Sequence, residues 1–391
     1  MDLSAYIIAG YSILAGLVWI FGFAFIVKQH YSVPRISEVN APEPESYPSL
    51  SILVPACNEE DNVEPALRSL LEQDYPDLEI LAIDDRSEDK TGEIIDRLSK
   101  KFNNLKAIHI QNLPEDWVGK TNALKEGYEA SSGDWILTTD ADVCYKPNAL
   151  KRIMAVALHE NLDHISCLPD MISNGFLHEM TYNGFVSFVA GVQNMEGVQD
   201  AESDDYFAFG AFNMFRRETF ERSPGFSWLR MEIVDDMGIG KMLMDAGARQ
   251  GFFFAFDQLE LEWYGSLGNM IDGLEKNGIA VLAHYNYLRG FAIPVMTAVV
   301  FFGPIIGLFS AFQPVQFISA AAMVSTIPLN IASARRLERP LSTYLFSIFG
   351  VWIMNYALLR STFMCAKRGG VEWRGVTYPV EKLRKHQRVR F

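Results

Sequence analysis

Cysteine is scarce in this chain of 391 residues, which contains only Cys57, Cys144, Cys167 and Cys365. No two of them are spaced as Cys-x-x-Cys, and none has a histidine at the spacing of a metal site. The sequence therefore argues against a disulfide framework and against a zinc module. Reduced thiols of this kind are typical of a cytosolic compartment.

Basic residues are also in deficit. The chain has 34 Lys and Arg against 48 Asp and Glu, a formal net charge of −14. Because the carboxyl-terminal residues 365–391 are basic, the acidic excess lies in the middle of the chain. A protein with this distribution of charge is not expected to bind nucleic acid.

Common nucleotide and metal motifs are missing. There is no G-x-x-x-x-G-K-[ST] and no G-x-G-x-x-G after a strand, which argues against a P-loop NTPase and a dinucleotide dehydrogenase. The stretch HEMTYNGF (178–185) is not H-E-x-x-H, so a zinc peptidase has no support. His164, His178 and His284 form no helical i, i+4 pair with another ligand, and we interpret them as structural or surface residues.

Two long stretches, 3–27 and 290–334, have no charged residue. Each exceeds the roughly 20 apolar residues that a membrane span needs, and the second is long enough for two. We interpret 1–28 as a retained anchor rather than a signal peptide, because no basic cluster precedes it and no small-x-small cleavage site follows. Residues 290–334 are predicted to form a transmembrane hairpin, and 341–364 a transmembrane or re-entrant helix.

The positions of basic residues predict the orientation. Lys28 and Arg35 follow the anchor, Arg289 precedes the hairpin, and Arg335 and Arg336 follow it. By the positive-inside rule these positions are cytosolic. We therefore predict a multi-pass protein of the cytoplasmic (inner) membrane with its large middle region in the cytosol. The rule also places the basic tail (365–391) in the cytosol, which favours a re-entrant over a crossing helix at 341–364.

The middle region predicts an α/β fold. After a Pro- and Glu-containing linker (29–48), β-rich runs such as LSILVPA, LEILAID, LKAIHI and DWILTTD alternate with helical patterns. Such alternation indicates βαβ units and a mainly parallel sheet, over a catalytic domain that we place at 49–260. Apolar residues then recur at helical spacing over 261–289, which predicts an amphipathic helix that packs on the soluble domain or lies in the membrane interface.

Acidic and polar residues follow three of the predicted strands. The clusters are Pro55 to Glu59, Asp84 with Asp85, and Asp140 with Asp142. One strand-end Asp is most often a turn or cap residue, but three clusters at the carboxyl edge of one sheet predict a ligand site. Asp-x-Asp there suits Mg²⁺ or Mn²⁺ carrying a diphosphate, and Lys120 lies near a helix N-terminus that also favours phosphate.

Together the motifs resemble family-2 glycosyltransferases with the GT-A (Rossmann-like, nucleotide-binding) fold. The resemblance rests on VPACNEE (54–60), AIDDRSEDKT (82–91), GKTNALKEG (119–127), TTDADV (138–143), GAFNMFRRETFERSPGF (210–226) and VDDMGIGKMLMDAG (234–247). With the anchor, the carboxyl-terminal apolar segments and WRGVTY (373–378), the chain most resembles membrane glycosyltransferases that act on lipids such as carotenoid acids or hopanoids. In WRGVTY, Val376 stands where relatives often have Arg, so Arg374 and Tyr378 are only candidate contacts.

The resemblance implies a role for each matching residue. The nucleotide-sugar would contact Pro55, Asn58, Glu59, Asp84, Asp85, Lys120 and Asp140. Asp142, with Asp140, would hold Mg²⁺ or Mn²⁺, and Asp236, preceded by Asp235, would be the catalytic base. The two acids also suit the first turn of a helix, where the helix dipole favours negative charge, so a structural role is the alternative.

With these roles, the resemblance implies an inverting transfer of one sugar from a nucleotide-sugar to a hydroxyl or carboxyl of a membrane lipid. We expect the donor to be a UDP-hexose. The Gln-x-x-Arg-Trp motif of processive synthases is missing after Asp236, which favours single-sugar transfer. A polysaccharide or lipid-linked glycan synthase of the same fold is the first alternative. A catalytically inactive membrane scaffold is the second.

Overall fold

The computed structural model describes residues 3–389. The first two residues of the predicted anchor and the last two of the predicted tail lie outside the described residues. The strands, in chain order, are β1 (Leu50–Ala56), β2 (Leu78–Asp85), β3 (Leu105–Ile110), β4 (Trp135–Thr138), β5 (Val143–Tyr145), β6 (His164–Leu168), β7 (Asp170–Ile172), β8 (Asn213–Arg216), β9 (Gln250–Phe254), β10 (Leu259–Glu262), β11 (Gly370–Trp373) and β12 (Val376–Pro379).

Helices alternate with the early strands and dominate the end of the chain. They are α1 (Leu3–Ser32), α2 (Val63–Leu71), α3 (Thr91–Ser99), α4 (Gly119–Ala130), α5 (Ala149–His159), α6 (Phe176–Val192), α7 (Met195–Val198), α8 (Arg217–Glu221), α9 (Asp235–Asp245), α10 (Leu267–Asn277), α11 (Tyr287–Gly307), α12 (Gln313–Arg336), α13 (Leu341–Leu345), α14 (Ser347–Arg368) and α15 (Val380–His386).

A seven-stranded sheet in the order β3-β2-β1-β4-β8-β6-β9 forms the centre of the middle region. Strands β1 to β4 are parallel, whereas β8 lies antiparallel between β4 and β6. The middle of β1 is fully buried because helices cover both faces of the sheet. This architecture confirms the predicted α/β fold of GT-A type with a mainly parallel sheet.

The strand register brings the predicted clusters to one edge. Ala56 at the end of β1 pairs with Asp84 on β2, and Leu53 pairs with Thr138 at the end of β4. Because these strands run in the same direction, the polar residues that follow them meet at the carboxyl edge of the sheet.

Within residues 3–389, four helices are long and apolar enough to cross a membrane, namely α1, α11, α12 and α14, with 30, 21, 24 and 22 residues. Helices α11 and α12 form the predicted hairpin and pack on α1, where the Trp19 indole N–H donates to the Val300 carbonyl (3.0 Å). The segment between α1 and β1 is packed against the protein, since Val33 and Ile36 are buried in the main core.

The region predicted as one amphipathic helix over 261–289 is divided among four elements. It begins at the end of β10, which pairs with β5 and β7, continues as α10 and a π-helical turn (Gly278–Leu282), and ends in the first residues of α11. The apolar residues Met270 and Leu274 of α10 are buried in the main core. The apolar face of α10 therefore packs inside the protein, because α14 and α6 cover it.

Both ends of α14 contact the middle region. Near its start, Gly350 crosses α6 so closely that a Cβ there would lie 2.5 Å from the Met180 carbonyl oxygen. After its end, the β11–β12 hairpin reaches α4, where the Gly119 N–H donates to the Tyr378 hydroxyl (3.3 Å). The tail therefore lies on the same side as the carboxylates predicted for the site.

The α6–α14 crossing yields a stability prediction. We expect Gly350→Val to destabilise the protein by about 1–3 kcal/mol, because backbone atoms on α6 leave no room for a side chain. Thermal unfolding of the detergent-solubilised protein measures the effect. Gly10→Val is the matched control, because a Cβ at Gly10 meets nothing within 4 Å. Equal losses in the two variants would contradict the close crossing.

Candidate active site

A cavity of about 680 Å³ lies at the carboxyl edge of the sheet and extends towards the membrane helices. Eight of the residues predicted for the site line this cavity, namely Pro55, Glu59, Asp85, Lys120, Asp140, Asp142, Asp235 and Asp236. They come from the ends of β1, β2 and β4 and from the first turns of α4 and α9. The fold therefore brings together residues that lie far apart in the sequence, from Pro55 to Asp236.

Two predicted residues, Asn58 and Asp84, do not line the cavity. The Asp84 carboxylate lies 3.1 Å from His109 Nδ1 and accepts the Ser87 N–H at 3.2 Å. Consecutive strand residues point to opposite faces, so Asp85 faces the cavity and Asp84 faces away. Asn58 has a left-handed backbone (φ 55°) and its side chain accepts the Glu88 N–H at 2.8 Å. The structure thus places Asp84 on the face of β2 that points away from the cavity, and Asn58 in the loop that follows β1.

Lys120 is the central cation of the site. Its Nζ lies 2.8 Å from Asp140 Oδ1 and 3.1 Å from Asp235 Oδ2. Burial alone would lower the pKa of Lys120, but Asp140, Asp235 and Asp236 outweigh it and raise this pKa. Burial would likewise raise the pKa of Asp140, yet the Lys120 ammonium holds it below the usual range. Both groups are therefore charged at neutral pH.

Asp236 differs in environment from its neighbour. It lies in the first turn of α9, where its Oδ1 accepts the Met237 N–H at 2.8 Å. Burial, and next the Asp235 charge, raise the pKa of Asp236 to about 7. A carboxylate with a pKa near the working pH is suited to accept a proton.

Gly210 lets the charged groups converge. A Cβ at this position would lie 3.2 Å from Asp140 Oδ2, 3.5 Å from Asp236 Oδ2 and 3.6 Å from Lys120 Nζ. Asp236 and the Asp140–Lys120 pair therefore border one small volume.

Asp142 has the features of a cation ligand. Among residues 3–389, its buried Oδ1 has no hydrogen-bond partner. Burial, and then the charges of Asp140 and Glu59, raise the pKa of Asp142 to about 7. An unpartnered buried oxygen among other carboxylates fits a hard divalent cation. No group of three or more His, Cys, Asp or Glu in the described chain is arranged to hold a metal alone. This donor set suits an ion that keeps water and phosphate oxygens as ligands.

Lys276, which lies in the predicted amphipathic segment 261–289, is a site residue that the sequence did not predict. Its Nζ lies 3.9 Å from the centroid of the Trp373 ring and it lines the cavity. None of the ion pairs within residues 3–389 includes Lys276. Burial, and then the Lys120 charge, lower its pKa to about 8. No motif marks this lysine, because only the packing of α10 against the tail brings it to the site.

The β11–β12 hairpin of the tail forms one wall of the cavity. Arg374 at its tip forms an ion pair with Glu59, and Tyr378 bonds to the first residue of α4. Tyr264, also unpredicted, lines the cavity, and burial together with Asp140 and Asp142 raises its pKa. These contacts explain how WRGVTY, far away in sequence, becomes part of the site.

The rest of the cavity is lined mainly by apolar residues. Its wall continues from Gly210 to Phe185 and Val189 on α6, Ile293 on α11 and Met354 on α14. The last four of these residues belong to α11, to α14 or to α6, the helix that crosses α14. The charged site is therefore continuous with an apolar space among the membrane helices.

Lys276 predicts a pH dependence. A lysine is charged below its pKa, so the Lys276 ammonium is present at pH 7 and is lost as the pH rises through about 8. We expect the affinity for a nucleoside diphosphate to fall roughly tenfold between pH 7 and pH 9.5 because one charged hydrogen-bond donor is lost.

Calorimetric titrations with UDP or GDP across this range measure the profile, with the monophosphates as controls. Lys276→Arg keeps its charge throughout and should flatten the profile. The same decline in the arginine variant would contradict the role of Lys276.

Comparisons with known proteins agree with this geometry. Residues 51–237 match the model of Glycosyl transferase family 2. The probable glycosyltransferase YdaM of Bacillus subtilis (strain 168) is 33% identical over 123 residues, which are 31% of this chain and 28% of that protein. The poly-β-1,6-N-acetyl-D-glucosamine synthase of Staphylococcus aureus (strain MSSA476) is 24% identical over 266 residues, 65% of this chain and 58% of that protein.

A solved structure shares the fold. The mannosyltransferase PcManGT of Pyrobaculum calidifontis, in complex with GDP-Man and Mn²⁺, superposes with a TM-score of 0.52 at 17% identity over 92% of this chain and 98% of that one. The two curated relatives are matched over less than two thirds of their own lengths. Residues 51–237 are therefore similar to family 2 glycosyltransferases, and the chain has a fold of the GT-A type.

Proposed function

We propose that the protein is an inverting glycosyltransferase that moves one sugar from a nucleotide-sugar to a hydroxyl or carboxyl group of a membrane lipid. One observation carries the proposal: the cavity that holds Asp236, Asp140 and Lys120 continues into an apolar space lined by α6, α11 and α14. A lipid acceptor fits such a space, with its apolar body among the helices and its reactive oxygen at Asp236.

Asp236 has the position of the catalytic base. Its carboxylate takes the proton of the acceptor hydroxyl while the acceptor oxygen forms a bond to the anomeric carbon. The bond from that carbon to the diphosphate oxygen breaks in the same displacement, and the diphosphate leaves with the electron pair, so the configuration inverts. A carboxylate acceptor would already be ionised and would need no base.

The donor half of the cavity has the charges that a nucleoside diphosphate requires. Lys120 and Lys276 line the cavity, as do Glu59 and Asp85. In our proposal the two lysines contact the diphosphate, while the two carboxylates contact the ribose and the base. Asp140 and Asp142 would hold Mg²⁺ or Mn²⁺, which neutralises charge on the leaving diphosphate when bound. UDP-hexose remains our first expectation, and the GDP-Man in the PcManGT structure makes GDP-mannose the second donor to test.

We place the protein in the cytoplasmic membrane with the site facing the cytosol. The basic residues after α1 and around the α11–α12 hairpin support this orientation through the positive-inside rule. Since both ends of α14 contact the catalytic region, α14 enters the membrane without carrying the tail across it.

A polysaccharide synthase is the second candidate, because the S. aureus relative has that name. Lack of Gln-x-x-Arg-Trp argues against it, and the size of the product separates the two. An inactive scaffold would transfer no sugar from any donor.

The test is transfer of labelled sugar in membranes that contain the protein. UDP-glucose, UDP-N-acetylglucosamine and GDP-mannose are supplied with Mn²⁺ or with a chelator. We expect metal-dependent label in the solvent-extracted lipid, with a mass gain of one sugar. Label in an insoluble polymer would support the synthase, and no transfer from any donor would support the scaffold.

A further inference from the structure

Two polar side chains lie in the apolar part of the cavity. Gln29 and His30 are in the last turn of α1, are 0% and 2% exposed, and line the same cavity as Asp236. Their neighbours in the cavity wall include Val33, Val186 and other apolar residues of α6. Neither residue belongs to the donor half of the site or to the motifs that identify the family 2 domain.

In each of these two side chains, one polar atom has a hydrogen-bond partner in the protein and the other polar atom has none among residues 3–389. Gln29 Oε1 accepts the Glu196 N–H at 3.2 Å, and His30 Nδ1 lies 3.0 Å from Ser333 Oγ. Gln29 Nε2 and His30 Nε2 are buried and have no hydrogen-bond partner among residues 3–389. Since the Glu196 N–H can only donate, it fixes Oε1 towards α7 and leaves the Gln29 amide N–H groups unpaired.

An unpaired buried donor costs about 1–3 kcal/mol. The cavity wall beside these residues is formed mainly by apolar side chains, which cannot accept a hydrogen bond. The Val186 carbonyl, which can accept one, lies near the His30 ring. The Gln29 amide is therefore better evidence than His30 for a missing hydrogen-bond partner, because no carbonyl in residues 3–389 accepts its N–H groups. An oxygen on a molecule in the cavity would satisfy it.

We propose that Gln29, with His30 beside it, binds a second oxygen of the acceptor, distinct from the one that is glycosylated. This proposal rests on the lipid acceptor of the proposed function and specifies its chemistry. The acceptor class is a lipid with a carbonyl or hydroxyl oxygen in addition to its reactive oxygen. A plain long-chain alcohol would fill the apolar space and leave the Gln29 amide unpaired.

Native mass spectrometry of the full chain in detergent tests the proposal with two probes. 1-Monooleoylglycerol has an ester carbonyl and a second hydroxyl, and oleyl alcohol has the same 18-carbon chain length with one hydroxyl. We expect the parent protein to bind the glycerol ester at least tenfold more tightly. Gln29→Leu should reduce this preference to about twofold or less.

Two further variants control for folding. Gln29→Glu keeps the oxygen that accepts the Glu196 N–H and removes the unpaired donor, so it should lose the preference as well. Gln316→Leu removes an exposed glutamine that bonds to the Ser310 carbonyl and lies outside the cavity, and it should keep the preference. Nucleotide titrations show that each variant is folded.

A preference that survives in both Gln29 variants, equal binding of the two probes by the parent, or binding of neither probe would overturn the proposal. The first result would mean that water satisfies the amide. Failure of the proposed function is separate, because it appears as a lack of nucleotide binding or sugar transfer in the parent protein.

Discussion

Asp236→Asn is expected to reduce sugar transfer to a hydroxyl acceptor by about 10²–10⁴-fold, the range for loss of a general base. The asparagine keeps the shape of the side chain and can still accept the Met237 N–H through its Oδ1. It cannot accept the proton of the acceptor. We therefore expect nucleotide affinity to change by no more than about twofold, since Lys120 keeps its partners Asp140 and Asp235.

Initial rates with the labelled donor, together with calorimetric nucleotide titrations, separate these two effects. Asp245→Asn is the control, because Asp245 lies at the other end of α9 and pairs with Lys241 at 2.9 Å, outside the cavity. Transfer by Asp236→Asn within tenfold of the parent would contradict the role of Asp236 as base.

Asp142→Asn is expected to have two large and opposite effects. It should abolish the gain in nucleotide affinity that Mn²⁺ produces, because it removes a charged ligand. It should also raise the thermal stability of the metal-free protein at pH 8. The pKa of Asp142 is raised to about 7 in the folded protein, so above pH 7 folding requires a buried carboxylate with an unpartnered oxygen.

The sign follows from proton linkage. A carboxyl whose folded pKa is raised holds its proton more tightly in the folded state, so its contribution to stability falls as the pH rises from about 4 to about 7. The neutral asparagine avoids this loss. We expect a gain of roughly 1–3 kcal/mol at pH 8, which corresponds to several degrees in Tm.

Unfolding scans with and without Mn²⁺ at pH 5 and pH 8 check both effects. Asp257→Asn, at an exposed position outside the cavity, is the control and should change neither property. A parent protein whose Tm is insensitive to Mn²⁺, or an Asp142→Asn variant that is less stable than the parent at pH 8, would contradict the assignment.

The sequence was sufficient for the local architecture of the catalytic region. LSILVPA and LKAIHI form strands over the predicted residues because short β-rich runs between helical patterns leave few alternatives. Parallel βαβ units then place the residues after each strand at one edge, so the approximate position of Asp85, Asp140 and Asp142 followed from topology alone.

Finer features depend on contacts that no local pattern encodes. Asp84 and Asp85 are both aspartates, and only the pleat of β2 decides which one faces the cavity. The antiparallel β8 enters the sheet between strands that are distant in sequence. Lys276 and Trp373 are about a hundred residues apart in the sequence, and they are in contact because α10 packs against the tail hairpin.

For the apolar segments too, the sequence predicted the helices but did not predict their contacts. Length and lack of charge predicted the helices of the 290–334 hairpin, which the structure extends by a few residues at each end. The same criteria did not show that α6, inside the predicted soluble domain, packs against α14 and lines the cavity. Its apolar character is explained by that contact.

The nucleotide-sugar site is best tested by calorimetric titration of the detergent-solubilised protein with UDP and GDP, in the presence and absence of Mn²⁺. We predict that one of the two nucleotides binds, that Mn²⁺ strengthens binding at least tenfold, and that Asp142→Asn abolishes the strengthening. Absence of binding by either nucleotide, in protein that unfolds cooperatively, would contradict a nucleotide-sugar site at the carboxyl edge of this sheet.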